Sequence, residues 1–204
     1  MSLSEYRVLF VTMVAIVALL VASPALSRVL IYPQTESFTE IWLLGPNHMA
    51  ENYPYNITRN QNYSVYLGIG NRLGYAAYYL VEVKFRNRTQ SAPYGFGSLS
   101  NRTPSSLPSL YNISAFVANE GAWEFPLSFS FDYGYNATAL RVTFYNLTLN
   151  NAVLDMTGYS TVWNSTNKDF YGNLFFELWI YNRTISGFQY HARFVNLLLN
   201  MTGY

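Results

Sequence analysis

Three observations predict an all-β protein: an immunoglobulin-like β-sandwich ectodomain carried on one N-terminal transmembrane helix. Apolar and polar residues alternate with period two from residue 38 onward. A single uninterrupted apolar run lies near the amino terminus. The sequon Asn-x-Ser/Thr occurs ten times between residues 56 and 200. Together these divide the chain into a cytoplasmic tail (1–7), a transmembrane signal anchor (8–27), a juxtamembrane linker (28–37) and an extracellular sandwich (38–204). The sandwich is expected to be interrupted by a loop excursion over 87–112.

The helix comes first. Val8 to Ala22 reads VLFVTMVAIVALLVA, with one Thr and no charge. Continued to Leu26, the run approaches the roughly 20 residues that cross a bilayer. Ala25-Leu26-Ser27 also offers a small-residue cleavage site, so a cleaved signal peptide stands beside the retained anchor. Flanking charge, Glu5 and Arg7 against Arg28, does not orient the helix.

The strands follow in order. Thr39–Leu44 is the first candidate. Tyr63–Ile69 and Tyr75–Phe85 are expected to form a hairpin through Gly70-Asn71-Arg72-Leu73-Gly74, with Val81, Val83 and Phe85 inward and Glu82 and Lys84 outward. A Ser/Pro/Gly-rich stretch then separates Asn87 from Asn112 and reads as a surface excursion carrying Asn101. In Pro126–Phe131, Leu127, Phe129 and Phe131 share one face and Ser128 and Ser130 the other. Leu140, Val142 and Phe144 share a parity that Leu147 and Leu149 break, which predicts a bulge near Tyr145-Asn146. Phe176, Leu178 and Ile180 alternate with Glu177 and Trp179, and His191–Met201 closes the set at about seven strands.

Composition excludes more than it identifies. Charged residues make up 11% of the chain, against about 25% in ordinary soluble domains, and the formal net charge is +1. With two Lys and ten Arg scattered along the chain there is no basic patch, so nucleic acid is not an expected partner. The absence of Cys removes disulfides, thiolate chemistry and Cys-ligated metals. A surface polar through hydroxyls and amides changes charge little on acidification, so stability is expected to survive acid.

The sequons are Asn56, Asn62, Asn87, Asn101, Asn112, Asn136, Asn146, Asn164, Asn182 and Asn200, ten of twenty Asn. Random placement gives about three. N-glycans are therefore expected as covalent additions, and they place the domain outside the cytoplasm with the amino terminus inside. Six of these Asn follow an aromatic residue: Tyr55, Tyr111, Tyr135, Tyr145, Trp163 and Tyr181.

No catalytic constellation, cofactor-binding motif or metal-ligand spacing is found. His191, on a strand, is expected to face outward, and His48, in the turn Gly45-Pro46-Asn47-His48, to be solvated. Glu120 and Glu124 flank Trp123, an arrangement that reads as a turn with a buried Trp rather than a sugar cleft. Gly68-Ile69-Gly70 is too short to cradle phosphate.

The stretch Phe38-Thr39-Glu40-Ile41-Trp42-Leu43-Leu44-Gly45-Pro46, followed by Ala50-Glu51-Asn52-Tyr53-Pro54, resembles an archaeal membrane-protein family known as domain of unknown function 1616. Val65–Asn71, Trp123-Glu124, Phe176–Trp179 and Phe194-Val195 fit the same pattern, so the resemblance covers roughly residues 15 to 200. It implies an anchored, outward-facing β-sandwich and supplies no catalytic residues. Family members often carry several helices where this chain has one, and the Ser/Pro loop at 91–110 looks like an insertion.

The expected function is that of a non-catalytic, heavily N-glycosylated cell-envelope protein in the cell membrane, with a structural, adhesion or assembly role. Membrane lipid is one expected partner; other envelope or membrane proteins, or copies of itself, are the others. One alternative is an accessory subunit of a larger membrane complex, its helix packing through Ala15, Ala18 and Ala22. Another is a secreted filament subunit that donates Val29–Tyr32 as a strand to its neighbour. A lectin or carbohydrate-active enzyme using exposed Trp and Tyr ranks last.

Overall fold

The computed structural model describes residues 3–30 and 37–203. The chain divides into an amino-terminal unit ending at Ser37 and a β-sandwich beginning at Phe38.

Helix α1 (Leu3–Leu30) contains the apolar span Tyr6–Pro24, nineteen residues of mean hydropathy 2.2. At 1.5 Å per residue this is about 28 Å, close to the thickness of the hydrocarbon core. The hydroxyl in the middle of the run is satisfied internally, because Thr12 Oγ1 donates to the Val8 carbonyl at 2.9 Å. The helix extends beyond 8–27 in both directions and passes through Pro24. Residues 28–30, expected as linker, are helical. Residues 31–36 lie outside the described residues.

Among the described residues eleven strands follow: β1 (Phe38–Leu44), β2 (Asn56–Thr58), β3 (Tyr63–Arg72), β4 (Ala77–Arg86), β5 (Tyr111–Val117), β6 (Ala122–Asn136), β7 (Arg141–Leu149), β8 (Ala152–Asp155), β9 (Ser160–Val162), β10 (Tyr171–Asn182) and β11 (Gly187–Thr202). One sheet runs β1-β3-β6-β7-β8, with β9 also pairing with β7; the other runs β2-β11-β10-β4-β5. All pairs are antiparallel except β2 with β11.

The alternation read from the sequence fixes the core. Val65, Leu67 and Ile69 of β3 and Leu127, Phe129 and Phe131 of β6 face Val81, Val83 and Phe85 of β4 and Leu174, Phe176 and Leu178 of β10. Edge-to-face rings fill the centre, with Phe144 at 4.9 Å from Phe85 and 5.7 Å from Phe131. Tyr133 joins the layers through its hydroxyl, which donates to the Ile57 carbonyl at 2.7 Å and to the Thr202 carbonyl.

Strands β3 and β4 do not form the expected hairpin. They belong to opposite sheets, and the chain crosses between layers over Leu73–Ala76. Asn71 is the reason. It is fully buried, and its Nδ2 donates to the carbonyls of Tyr75 (2.8 Å), Val117 (2.9 Å) and Ala118 (3.2 Å). Its Oδ1 accepts from Leu73 N and from the Tyr79 hydroxyl. Backbone groups that a hairpin ladder would pair are paired instead by one amide side chain.

The predicted bulge is present: Asp132 pairs with Asn146 and Tyr133 with Phe144, leaving Tyr145 as the extra residue. Val142, Phe144, Leu147 and Leu149 are all buried as a result. Leu140, by contrast, lies in the preceding turn with positive φ and is exposed.

The outward assignment of Glu82, Lys84 and Glu177 is correct in face and wrong in environment. Glu177 is 0% exposed and Lys84 4%. The chain between β4 and β5 folds back over this face, and Ser105 N donates to Glu177 Oε1 at 2.6 Å. The excursion therefore covers the second sheet, while Asn101, at its 3-10 turn Leu99–Asn101, is exposed.

Candidate functional site

The most distinctive surface lies where β1 begins. At this end of the sandwich β3 finishes, β4 starts, β5 finishes, β6 starts, and β10 turns into β11. The last outward-facing row of the second sheet is Phe116, Tyr78, Tyr181 and Phe188, one residue from each of four adjacent strands. Tyr78 lies 5.3 Å from Phe188 and 6.4 Å from Tyr181, and Tyr181 is 5.6 Å from Phe188. Phe116 is 69% exposed, Tyr78 40% and Tyr181 41%, Phe188 is partly buried, and Tyr75 and Ile185 in the adjoining turns are 58% and 59% exposed. They border a cleft of about 920 Å³ that runs from Leu73 and Tyr75 to Thr184 and His191.

His191, half-buried at the edge of the cleft, leads to a buried polar group. Between β10 and β11 the register slips, with Trp179 opposite Tyr190 but Leu178 opposite Arg193, so His191 and Ala192 bulge out of the ladder. Ala192 takes φ +54°. His191 thereby turns toward β1, and its Nε2 lies 2.9 Å from Thr39 Oγ1. Thr39 Oγ1 is 3.2 Å from the Tyr79 hydroxyl, which donates to Asn71 Oδ1. Burial, aided by the Arg193 charge, holds His191 down at about 4, a neutral imidazole. Burial raises Tyr79 against the opposing Thr39 hydrogen bond.

The expected outward His191 is thus corrected. Odd-numbered positions of β11 (Val195, Leu197, Leu199, Met201) face the core, and a two-residue bulge preserves that parity back to His191. The hydroxyl–imidazole pair is a structural bond in chemical terms. Thr39 is 1% exposed, out of reach of a substrate, and the His191 imidazole is held by the Thr39 hydroxyl rather than by a carboxylate that would orient it as a base.

A second buried cluster lies under the 87–110 segment. Lys84 Nζ sits 2.8 Å from Glu177 Oε2, 2.9 Å from Glu82 Oε2 and 3.1 Å from the Ser105 carbonyl, so all three ammonium protons have acceptors. Burial pulls Lys84 down, but its bonds to Glu177 and Glu82 outweigh this and hold it above its ordinary value. For Glu177 burial dominates and raises it, despite Lys84 and the Ser105 amide. The group ties the loop to the sheet.

The remaining candidates do not converge. Glu120 pairs with Arg72 at 2.6 Å, and Glu124 with His48 at 2.8 Å, while Trp123 stacks on Phe125 inside the sandwich. His48 is a turn residue with its side chain 54% exposed. Among the described residues no group of three or more His, Asp or Glu could hold a metal ion. Ala15 and Ala18 are exposed on α1, and Ala22 is partly buried. Val29 and Leu30, which the filament reading places in a donated strand, are helical; Ile31 and Tyr32 lie outside the described residues.

No sequon Asn is buried. Asn56, Asn62, Asn101, Asn112 and Asn136 are exposed; Asn87, Asn146, Asn164, Asn182 and Asn200 are partly buried. In three of the latter the amide nitrogen is already engaged: Asn87 with the Ser160 carbonyl, Asn182 with Gln189 Oε1 and Asn200 with Asn56 Oδ1. The distribution is uneven. Asn56, Asn62, Asn87, Asn136, Asn164 and Asn200 lie toward the end remote from the start of β1, and only Asn182 lies at the aromatic end.

A family model described as domain of unknown function (DUF1616) matches residues 33–157, more than half of the chain. The chain belongs to this family. The DUF1616 match begins beyond α1 and ends just after β8, so it is shorter than the 15–200 suggested by sequence resemblance. Strands β10 and β11, which carry Glu177 and His191, lie outside it. No curated protein matches the chain. Among solved structures, a β-glucosidase from Listeria innocua in complex with glucose aligns at 9% identity and TM-score 0.41, over 83% of this chain and 16% of that one. The complex between zinc α2-glycoprotein and prolactin-inducible protein from human seminal plasma supplies another, at 7% identity and TM-score 0.38, over 83% of this chain and 99% of the matched one. This chain spans about a sixth of the β-glucosidase, and neither likeness bears on activity.

Proposed function

We propose that this DUF1616 protein is a non-catalytic, membrane-anchored and N-glycosylated cell-envelope protein. Its sandwich stands outside the cytoplasm in a structural, adhesive or assembly role. The observation that carries the reading is the coincidence of an apolar helix of bilayer length with ten sequons, none buried, on a domain short of charged side chains. Glycans supply the polar bulk that the low charge withholds. The non-catalytic part rests on the donor set: the Thr39 hydroxyl beside His191 is buried out of reach, and Glu120, Asp132 and Asp169 are held in separate ion pairs.

The test is the intact mass and glycopeptide map of protein extracted from native membranes. The expected result is a mass well above the 23.4 kDa polypeptide, with modification at exposed Asn62, Asn101, Asn112 and Asn136 before Asn87, Asn182 and Asn200. An unmodified chain, or one released from membranes by alkaline carbonate, overturns the reading.

A further inference from the structure

We propose that the aromatic end of the sandwich is a lipid-docking surface that rests in the headgroup region of the membrane in which α1 is anchored. The inference builds on the anchored reading and adds a partner for a specific set of side chains. Phe116, Tyr75, Tyr78, Tyr181 and Ile185, from 40% to 69% exposed, gather at one end of the domain, and six of the ten sequons lie toward the other.

The chain itself sets the distance. Phe38, the first residue of β1, lies at this same end. Residues 31–37 span at most about 25 Å when fully extended, and the six helical residues after Pro24 add about 9 Å. A ten-residue strand is itself about 33 Å long, so under the anchored reading the tether attaches at the end that carries the aromatic row, and that end is within reach of the bilayer surface.

The chemistry fits the interface. Tyr and Phe bury ring area among acyl carbons and leave hydroxyls at the polar level, which is why aromatic side chains concentrate there. Charge does not oppose contact: Glu120, in the β5–β6 turn, is neutralised by Arg72, and Arg183 borders the cleft as a cation for lipid phosphate. Glycans do not oppose it either. Asn182, the one sequon at this end, has its amide nitrogen donated to Gln189, whereas six sequons occupy the opposite end, where sugars would hold the surface off a membrane.

The chain has no Cys, so single-cysteine labelling is unambiguous. Full-length Ile185→Cys, Lys168→Cys and Leu19→Cys would each carry an environment-sensitive fluorophore in nanodiscs holding one chain and containing phosphatidylglycerol. Lipids with a nitroxide at headgroup depth or at mid-chain serve as quenchers. Ile185 and Lys168 both sit in exposed turns, so neither label disturbs the core. The expected result is loss of most emission at position 185 with the headgroup quencher, little loss at 168, and mid-chain quenching at 19. A label at 185 as accessible to aqueous iodide as that at 168 overturns the docking while leaving the anchor intact if 19 is quenched. A label at 185 shielded from both iodide and lipid quenchers assigns the surface to a protein contact and also overturns the proposal. Failure of quenching at 19 is failure of the anchored reading itself.

Discussion

Replacing Lys84 with Met separates a structural ion cluster from an incidental one. In the native domain the Lys84 ammonium donates to Glu177, Glu82 and the Ser105 carbonyl, and Glu177 has no access to solvent. Met has nearly the same length and leaves no large cavity, so the loss is electrostatic. Stranding a buried carboxylate with only the Ser105 amide should cost about 4 kcal/mol. Glu82→Gln removes a partner that is 22% exposed and already hydrated, and should cost under about 1 kcal/mol. The double variant Lys84→Met/Glu177→Leu should return to within about 2 kcal/mol of the native protein, the residue of the loss being the Ser105 N–H left without an acceptor. Guanidinium unfolding of the full-length protein in detergent, followed by far-UV circular dichroism, measures all three. The pH dependence supplies an independent sign. Burial already raises Glu177, and loss of Lys84 raises it further, so the folded state binds more protons than the unfolded one above the ordinary carboxylate range. The penalty in Lys84→Met therefore shrinks as pH falls through that window. A Lys84→Met penalty no larger than that of Glu82→Gln, or one that grows in acid, refutes the assignment of Glu177 as a buried charge held by Lys84.

Three further outcomes follow from the same geometry. Asn71→Ala leaves three carbonyls and the Tyr79 hydroxyl short of a partner at the crossing between sheets, and should lower stability by about 3–5 kcal/mol in the same unfolding assay. His191, neutral in the fold with a value near 4, binds its proton more readily when unfolded, so native stability should decline between about pH 6.5 and pH 4 by about 2 kcal/mol, the full shift being discounted for partial exposure; His191→Gln should flatten that decline, and a native curve unchanged across the window would count against the buried imidazole. At Gly68 an added Cβ would lie 2.0 Å from Trp42 Cε2, so Gly68→Ala should displace the indole, red-shift the tryptophan emission and cost about 2 kcal/mol.

The alternation of side chains in this sequence specifies which face of each strand points inward, and the structure follows it at Leu127, Phe129, Phe131, Val81, Val83 and Phe85. Even the bulge at Tyr145 is legible, because burying both Phe144 and Leu147 requires one extra residue. Which sheet a strand joins is not legible. Val65–Ile69 and Val81–Phe85 carry the same pattern whether they lie side by side or face each other across the core. The deciding atoms belong to Asn71, one amide in a turn-like Gly-Asn-Arg context. Nor does alternation reveal whether the outward face stays open. Glu82, Lys84 and Glu177 carry charges of both signs at positions that read as solvated, and the Ser105 segment that covers them contains only Ser, Pro and Leu beside it.

That covering layer accounts for a difference between the two ends of the second sheet. Over its middle the 87–110 segment masks the outer face, with Ser105 on Glu177 and Gly95 against Phe194. It leaves Phe116, Tyr78 and Tyr181 exposed at the end where β1 begins. The domain supplies a loop to cover a charged cluster, yet leaves Phe116, Tyr78 and Tyr181 exposed in one row, while other exposed apolar side chains, among them Phe96, Leu99 and Val153, lie on other segments. Aromatic side chains exposed side by side on adjacent strands mark a place of contact rather than a defect of the core. The docking surface proposed for lipid is accordingly this one end of the sandwich, where Phe116 and Ile185 would meet the headgroups.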